Sequence, residues 1–171
     1  MENSLEKTYT IDTKDYSQSD LLDLVKNPTT PGTVLDQLAR DKENDEENKT
    51  FIARHPNTTS KTLVYLLKYD KVEMMGAIAG HVNTSPEILE LMVRSSEKLY
   101  TLYKLAQNPN TPADALDELS DESDSEHIKL AIAQNPSTSK ATLTSLFDES
   151  TLISIEARKN YDYQQTLGRS F

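Results

Sequence analysis

Apolar residues follow a threonine at a fixed distance in five places along the chain. A leucine stands five residues after each threonine, and a second leucine or a methionine stands three residues further on, which is the spacing of one helical face. A further apolar pair lies six and five residues before each threonine. The threonines are Thr30, Thr58, Thr84, Thr111 and Thr138, and the leucines that follow them are Leu35, Leu63, Leu89, Leu116 and Leu143. A period of about 27 residues with two apolar stripes predicts a protein built from helical repeats.

The turn between the two stripes carries signals for the end of one helix and the start of the next. In four of the five copies a proline precedes the threonine by two residues, and it disfavours the α conformation of the residue before it. A threonine hydroxyl can accept the free N–H of the third helical residue, so we expect each threonine to be the N-cap of a second helix. Pro31 and Pro112 would then occupy the first helical position, where a missing N–H costs nothing. The stretch QNPNTP at 107–112 is thus predicted to be the corner of a helical hairpin.

The pattern divides the chain into three parts and predicts an all-α fold. We expect a polar N-terminal arm at 1–16, five helical hairpins at 17–150 and an atypical capping repeat at 151–171. Ser17 or Ser19 should begin the first helix. The expected helix pairs are 19–40, 46–69, 72–95, 97–120 and 124–148.

The last 21 residues, TLISIEARKNYDYQQTLGRSF, lack both the Asn-Pro pair and the threonine. A stack of repeats needs a terminal unit that covers its last apolar face. We therefore expect Leu152, Ile153 and Ile155 to cover the leucines of the fifth copy. The alternatives are a frayed tail or a surface that pairs with a second copy of the chain, so the protein is expected to be a monomer or a homodimer through a terminal repeat.

The repeated pattern hydrophobic–Ala–x–Asn–Pro–x–Thr–Pro–x–x–x–Leu–x–x–Leu resembles the leucine-rich repeat variant family over about residues 19 to 150. The resemblance implies a right-handed α-solenoid of alternating α and 3₁₀ helices that serves as a general binding surface. The repeats here are a few residues longer than is typical of that family, which leaves open whether the first helix of each repeat is α or 3₁₀. The chain has no cysteine, so the cysteine cluster of some members is missing and no iron–sulfur or other cofactor is expected.

Charge and composition narrow the class of partner. The formal net charge of −10 repels phosphate backbones, so we expect no direct binding to nucleic acid. The longest uncharged apolar stretch, MMGAIAG at 74–80, is too short to span a bilayer, and a soluble cytoplasmic protein is expected.

Residues with catalytic or metal-binding potential are few. His55, His81 and His127 lack the i, i+4 spacing of a helix-borne metal pair, and the four glycines form no phosphate-binding motif. His55 and His81 occupy one column of adjacent copies, where they form either a polar ladder with the asparagines of that column or a metal site. We expect the ladder, and we expect a protein that is not an enzyme.

Two columns after each repeated leucine should face solvent, and they are apolar only in the second and third copies. Val64, Tyr65 and Leu91 stand there, and Tyr69 lies one helical turn beyond Tyr65. They are a patch that binds a protein partner, or ordinary scattered surface residues, or residues that a flank of the stack covers. The first possibility makes the protein a binding scaffold or adaptor, whose partner the sequence does not identify.

Two acidic linkers support a second hypothesis. Their carboxylates could form one edge that imitates a phosphate backbone and inhibits a nucleic-acid-binding protein, or they could simply keep the protein soluble. The residues of this acidic edge are Asp41, Glu43, Asp45, Glu46, Glu47, Asp117, Glu118, Asp121, Glu122, Asp124 and Glu126.

Overall fold

The structure is a computed structural model that describes Ile11, Lys14 and residues 16–167. Within these residues the chain forms helices and no strand, so the all-α prediction is confirmed. No helix in this part of the chain combines the length and the apolar character that a bilayer span requires. The predicted polar arm at 1–16 and the last four residues of the predicted cap lie mainly outside the described residues. The chain divides into two compact units, Met1–Asn83 and Thr84–Phe171.

The described helices of the first unit lie in two rows. One row consists of α1 (Gln18–Lys26), α3 (Glu46–Arg54) and α5 (Val72–Ala79), each packed on the next, and the other consists of α2 (Gly32–Arg40) packed on α4 (Ser60–Leu66). Contacts of α3 with α2 and α4 join the rows. Ser17 is the N-cap of α1 in a capping box with Asp20, which confirms the predicted start of the first helix.

The second unit repeats this arrangement. One row consists of α7 (Leu99–Gln107), α9 (Glu126–Gln134) and α11 (Thr151–Leu167), and the other of α6 (Pro86–Ser95), α8 (Ala113–Glu122) and α10 (Lys140–Ser145), which continues into a 3₁₀ turn at Leu146–Asp148. Each predicted helix pair therefore contains two helices, and the first helix of each pair is α.

The two apolar stripes form the core of each unit, as predicted. All five leucines that follow the threonines are buried, and so are the residues three positions further on, Leu38, Leu66, Met92, Leu119 and Leu146. In α3, α5, α7 and α9 the column five residues before the repeated threonine is filled by completely buried alanines, Ala53, Ala79, Ala106 and Ala133. A small side chain at this position lets neighbouring helices of one row approach closely.

The threonines do not cap the second helices, and this prediction is wrong. Instead, the hydroxyls of Thr30, Thr58, Thr111 and Thr138 donate backwards to a carbonyl six residues earlier, near the end of the first helix. The Thr58 hydroxyl lies 2.5 Å from the Ile52 oxygen, and the Thr111 hydroxyl lies 2.7 Å from the Leu105 oxygen. These two carbonyls also accept the backbone N–H groups of His55 and Asn108, so the hydroxyl is a second donor to the same oxygen and ties the corner to the end of the first helix.

The N-cap of each second helix is the residue after the threonine. Thr59 and Ser139 accept the N–H groups of Thr62 and Thr142 with their hydroxyls. Pro31 and Pro112 are also N-caps, one position earlier than predicted, and neither offers a side-chain acceptor. The repeated threonine therefore bonds to the end of the first helix, and the residue after it is the N-cap of the second.

Helix α11 packs on α9, α10 and the 3₁₀ turn, as expected of a cap, but only part of the predicted contact set is correct. Ile153 and Ala157 are buried, whereas Leu152 and Ile155 are exposed. A continuous α-helix buries residues four apart on one face, which pairs Ile153 with Ala157 and turns its immediate neighbours outward. The side chain of Asn160 donates to the Ala133 and Asn135 carbonyls at 3.0 and 2.7 Å, so polar contacts also fix this helix.

Gly32 begins α2 at a point where the following corner comes close. A Cβ at this position would lie 2.6 Å from the Asn57 carbonyl oxygen and 3.2 Å from Cγ2 of Thr59. The Asn57 amide fixes the approach by donating to the Pro28 and Thr30 carbonyls at 3.1 and 3.0 Å. Glycine is required here for close packing rather than for an unusual backbone angle.

Replacing Thr111 tests the role of the hydroxyl. We expect Thr111→Val to lower the free energy of unfolding by about 1 kcal/mol, because valine keeps the shape of threonine and removes its hydrogen bond to the Leu105 carbonyl. Urea denaturation measures this loss. Hydrogen exchange of the Ala113, Asp114 and Ala115 amides should stay unchanged, and faster exchange of these first-turn amides would instead show that Thr111 caps α8.

Replacing Gly32 should reverse the usual effect of alanine in a helix. Alanine has the higher helix propensity, yet we expect Gly32→Ala to lower the free energy of unfolding by about 1–3 kcal/mol, because the new methyl group overlaps the Asn57 carbonyl. Gly80→Ala is the matched control, since Gly80 is exposed and has a φ of −85° that alanine adopts easily. Thermal unfolding of both variants decides, and an equally stable Gly32→Ala protein would contradict the close approach.

Candidate protein-binding surface

The histidines of the corner column bond to the corner before them. Nε2 of His55 lies 2.8 Å from the Asn27 carbonyl oxygen, and Nε2 of His81 lies 2.9 Å from the carbonyl oxygen of His55. Nδ1 of each ring accepts a backbone N–H, from Asn57 and Asn83 respectively. Since Nδ1 is the acceptor, Nε2 carries the proton and donates. Both nitrogens of each ring are thus used in the predicted polar ladder.

In the second unit an asparagine performs the same function with its amide. Nδ2 of Asn135 donates to the Ala106 and Asn108 carbonyls at 2.7 and 2.9 Å, and its Oδ1 accepts the N–H of Ser137 at 2.9 Å. Histidine and asparagine both offer one donor and one acceptor at a suitable separation, so they can alternate in this column. These buried side chains hold the backbone and are not available to a partner.

The candidate binding surface lies on α4, on the turn that follows it and at the end of α2. We call it the tyrosine surface, and it consists of Val64, Tyr65, Tyr69, Arg40 and Lys68. The Arg40 guanidinium lies 4.3 Å from the centre of the Tyr65 ring, and the Lys68 ammonium lies 3.8 Å from Tyr65 and 4.9 Å from Tyr69. Both rings are half-buried, while Val64 is 47 % exposed. Cation–π contacts of this kind hold the rings in a fixed orientation at the surface.

A buried cation lies behind this surface. Lys49 on α3 is only 3 % exposed, and its ammonium donates to the Asn44 carbonyl at 2.5 Å. The same ammonium lies 5.5 Å from the centre of the Tyr69 ring. Tyr69 is therefore fixed by a cation on the inner side as well as by Lys68.

Hydrogen bonds connect the cations and the phenol into a chain. Lys68 donates to the Tyr65 hydroxyl at 2.6 Å, and this bond lowers the pKa of Tyr65 below its ordinary value. Arg40 donates to both carboxylate oxygens of Asp36 at 3.0 Å, which lowers the pKa of Asp36, and the Thr62 hydroxyl donates to the same carboxylate at 2.9 Å. Tyr65 is consequently held in one arrangement before any partner arrives.

The fourth predicted patch residue, Leu91, lies on α6 in the second unit and is 57 % exposed. Its neighbour Arg94 bonds to Glu90 and Glu118 at 2.9 and 3.0 Å. The structure therefore brings Val64, Tyr65 and Tyr69 together in the first unit and places Leu91 among paired charges in the second.

The first part of the predicted acidic edge serves partly to hold the fold. Asp45 is the N-cap of α3, and Asp41 accepts the N–H of Glu43 at 2.9 Å. Glu46 forms an ion pair with Lys71. Glu43 and Glu47 are exposed.

The second part of the edge is divided in the same way. Asp117 accepts hydrogen bonds from the hydroxyls of Ser139 and Thr142, and Glu118 pairs with Arg94. The remaining four carboxylates, on Asp121, Glu122, Asp124 and Glu126, are exposed to solvent.

Sequence reasoning missed the partners of these side chains. Asp36 and Asp117 each follow a repeated leucine. Each carboxylate accepts a hydrogen bond from a threonine of the next copy, Thr62 or Thr142, which lies four residues after the repeated threonine of that copy. The joint occurrence of this aspartate and this threonine in consecutive copies was a usable signal. Arg40 could also have been found, because Asp36 precedes it by four residues on one helix.

Removing Lys68 should release the Tyr65 phenol. We expect Lys68→Met to raise the pKa of Tyr65 toward its ordinary value, because the variant loses the hydrogen bond and the positive charge that stabilise the phenolate. NMR titration of tyrosine labelled at Cζ measures this pKa directly. Lys104→Met, which removes a cation near Tyr100 and Tyr103, is the matched control and should leave Tyr65 unchanged. An unaltered Tyr65 pKa in Lys68→Met would contradict the contact.

Histidines and carboxylates in the described part of the chain form no group of three or more that could hold a metal ion. Comparison of the chain with family models, with curated proteins and with solved structures finds no match.

Proposed function

We propose that this protein is a non-catalytic binding scaffold, a right-handed α-solenoid that holds a protein partner on its surface. Two features support a solenoid of the kind that the leucine-rich repeat variant resemblance implies. Helices stack in two rows within each unit, and corner side chains bond to the backbone of the preceding corner at about the repeat spacing. A stack of this kind presents ridges to solvent and does not enclose a substrate away from water, so the proposal includes no catalytic step.

The tyrosine surface is the observation that carries the binding role. Tyrosine and arginine are the residues most enriched among energetic hot spots of protein interfaces, and Tyr65 and Arg40 are stacked together here. Their arrangement is fixed in the free protein, so little conformational entropy is lost when a partner binds. Val64 supplies exposed apolar area next to them, and Leu91 on α6 supplies more in the second unit.

The alternative function, an acidic inhibitor that imitates nucleic acid, has less support. A mimic needs a row of free carboxylates, whereas Asp45, Asp117 and Glu118 are engaged within the fold. Salt distinguishes binding at the tyrosine surface from mimicry by the acidic edge, because binding through a row of charges weakens steeply with ionic strength and binding through tyrosine and valine does so only slightly.

Substitution of the surface tests the scaffold. Affinity capture from extracts of the source cells should recover a partner with the wild-type protein, and the double variant Tyr65→Asp with Leu91→Asp should recover about tenfold less or worse, because a charge is placed at each apolar contact. Tyr163→Asp is the matched control, since Tyr163 is an exposed tyrosine on α11. Circular dichroism confirms that all variants are folded, and undiminished capture by the folded double variant would refute the surface.

A further inference from the structure

A pocket in the second unit has a composition that points to a particular class of ligand. It has a volume of about 410 Å³, within the range of ligand-binding pockets, and it lies where the end of α6, the first turns of α7 and the end of α8 meet. Val93 and Leu119, both buried, and Leu102, half-buried, supply its apolar lining.

Leu99 extends this apolar lining into solvent. It is the first residue of α7 and is 66 % exposed, and the next residue, Tyr100, is exposed as well. A large aliphatic side chain at the edge of an apolar pocket becomes buried only if another molecule covers it. The pocket and Leu99 together therefore form one continuous apolar site.

The rim of the pocket is acidic. Glu122 and Asp124 line it and are exposed, and Asp121 and Glu126 flank them in the sequence. Within the described residues neither Glu122 nor Asp124 takes part in an ion pair, in contrast to the nearby Glu118, which Arg94 neutralises. Two cations are next to lining residues in the sequence, Lys98 before Leu99 and Arg94 after Val93, and Arg94 is already paired with Glu90 and Glu118.

Two serines give the rim a defined backbone. Ser96 accepts the N–H of Lys98 at 3.4 Å, and Ser123 accepts the N–H of Ser125 at 3.2 Å. These bonds set the turns between α6 and α7 and between α8 and α9, which form the two walls of the pocket. The two walls are thus held by hydrogen bonds of the chain itself.

We propose that this pocket binds a basic peptide segment of a partner protein, which inserts one apolar side chain beside Leu99 and Leu102 and pairs its lysines or arginines with Glu122 and Asp124. The inference rests on the proposed scaffold function and adds to it a second docking place and the chemistry of the partner. An apolar interior and a negative rim complement an apolar anchor between cationic residues, and they repel nucleic acid and acidic membranes. Two copies of a chain with a net charge of −10 repel each other, which disfavours self-association here.

Selection from a phage-displayed library of random short peptides provides the probe. We expect the enriched peptides to carry a leucine, phenylalanine or methionine next to lysine or arginine. One enriched peptide, synthesised with a fluorescent label, is then titrated with protein and followed by fluorescence polarisation. Raising sodium chloride from about 50 to about 300 mM should weaken its binding severalfold, because the ion pairs at the rim are screened.

Two variants that suit the helices test the two halves of the site. Leu99→Asp places an acid in the first turn of α7 and Glu122→Lys places a base in the last turn of α8, positions that the helix dipole favours. Each should weaken peptide binding about tenfold or more. Leu152→Asp, at an exposed leucine in the first turn of α11, and Asp162→Lys, at an exposed acid of the same helix, are the matched controls and should change binding by less than about twofold.

Each contrary outcome overturns a stated part of the proposal. If no peptide is enriched, or if Leu99→Asp binds as well as wild type, the pocket is not the site. If Leu99→Asp abolishes binding and Glu122→Lys does not, the basic class of partner is wrong. A dimer in sedimentation that Leu99→Asp dissociates would identify the occupant as a second copy of the chain. The peptide experiment changes Leu99 and Glu122, whereas the capture experiment changes Tyr65 and Leu91. A negative result for the pocket therefore does not contradict the scaffold function, and the two proposals can fail separately.

Discussion

The hydrogen bond from a buried threonine hydroxyl to the carbonyl six residues earlier is the constraint on which the corners depend. In four of the five corners a proline follows the end of the first helix and disfavours its continuation. The hydroxyl then adds a second donor to a carbonyl of the last helical turn, as Thr58 and Thr111 do for Ile52 and Leu105, which also accept the N–H groups of His55 and Asn108. The backbone of the corner is then fixed, and its outward carbonyls can receive the side chain of the next corner.

Much of the fold follows from the sequence because the columns repeat. The helical character of the chain and the buried leucines could be predicted from period and spacing alone, and the structure confirms both for the described residues. The role of the threonines could not, because a hydroxyl both donates and accepts, and the sequence does not state in which direction the bond runs. The contacts of α11 could be predicted only in part. This helix lacks the repeated columns, so the sequence does not show which of its faces is buried. Ile155 is exposed for this reason, while Ile153 is buried.

The candidate site is less accessible to sequence reasoning than the core. Val64 and Tyr65 could be identified because they differ from the polar residues in the same columns of other copies. The cations around them come from α2, α3 and the turn after α4, which are different positions of the repeat. Comparing one position across the copies therefore does not predict that these cations contact the rings. Charge counting also overestimated the acidic edge, because it treats Asp117 as free when the carboxylate accepts two hydroxyl groups of a later helix. Burial and pairing, which decide whether a charge is available, are properties of the folded chain.

The polar ladder, in which a histidine or asparagine of one corner bonds to the backbone of the corner before it, affects how such a chain can change in evolution. His81 and Asn135 bond to main-chain carbonyls, and every residue type has these, so the joint between two corners does not require a matching side chain on the earlier one. A corner with histidine can therefore follow one with asparagine, as His55 follows Asn27. Duplication or deletion of one whole helical hairpin would therefore leave the hydrogen bonds between the other corners intact. The length of the protein can then vary while its surface residues change independently.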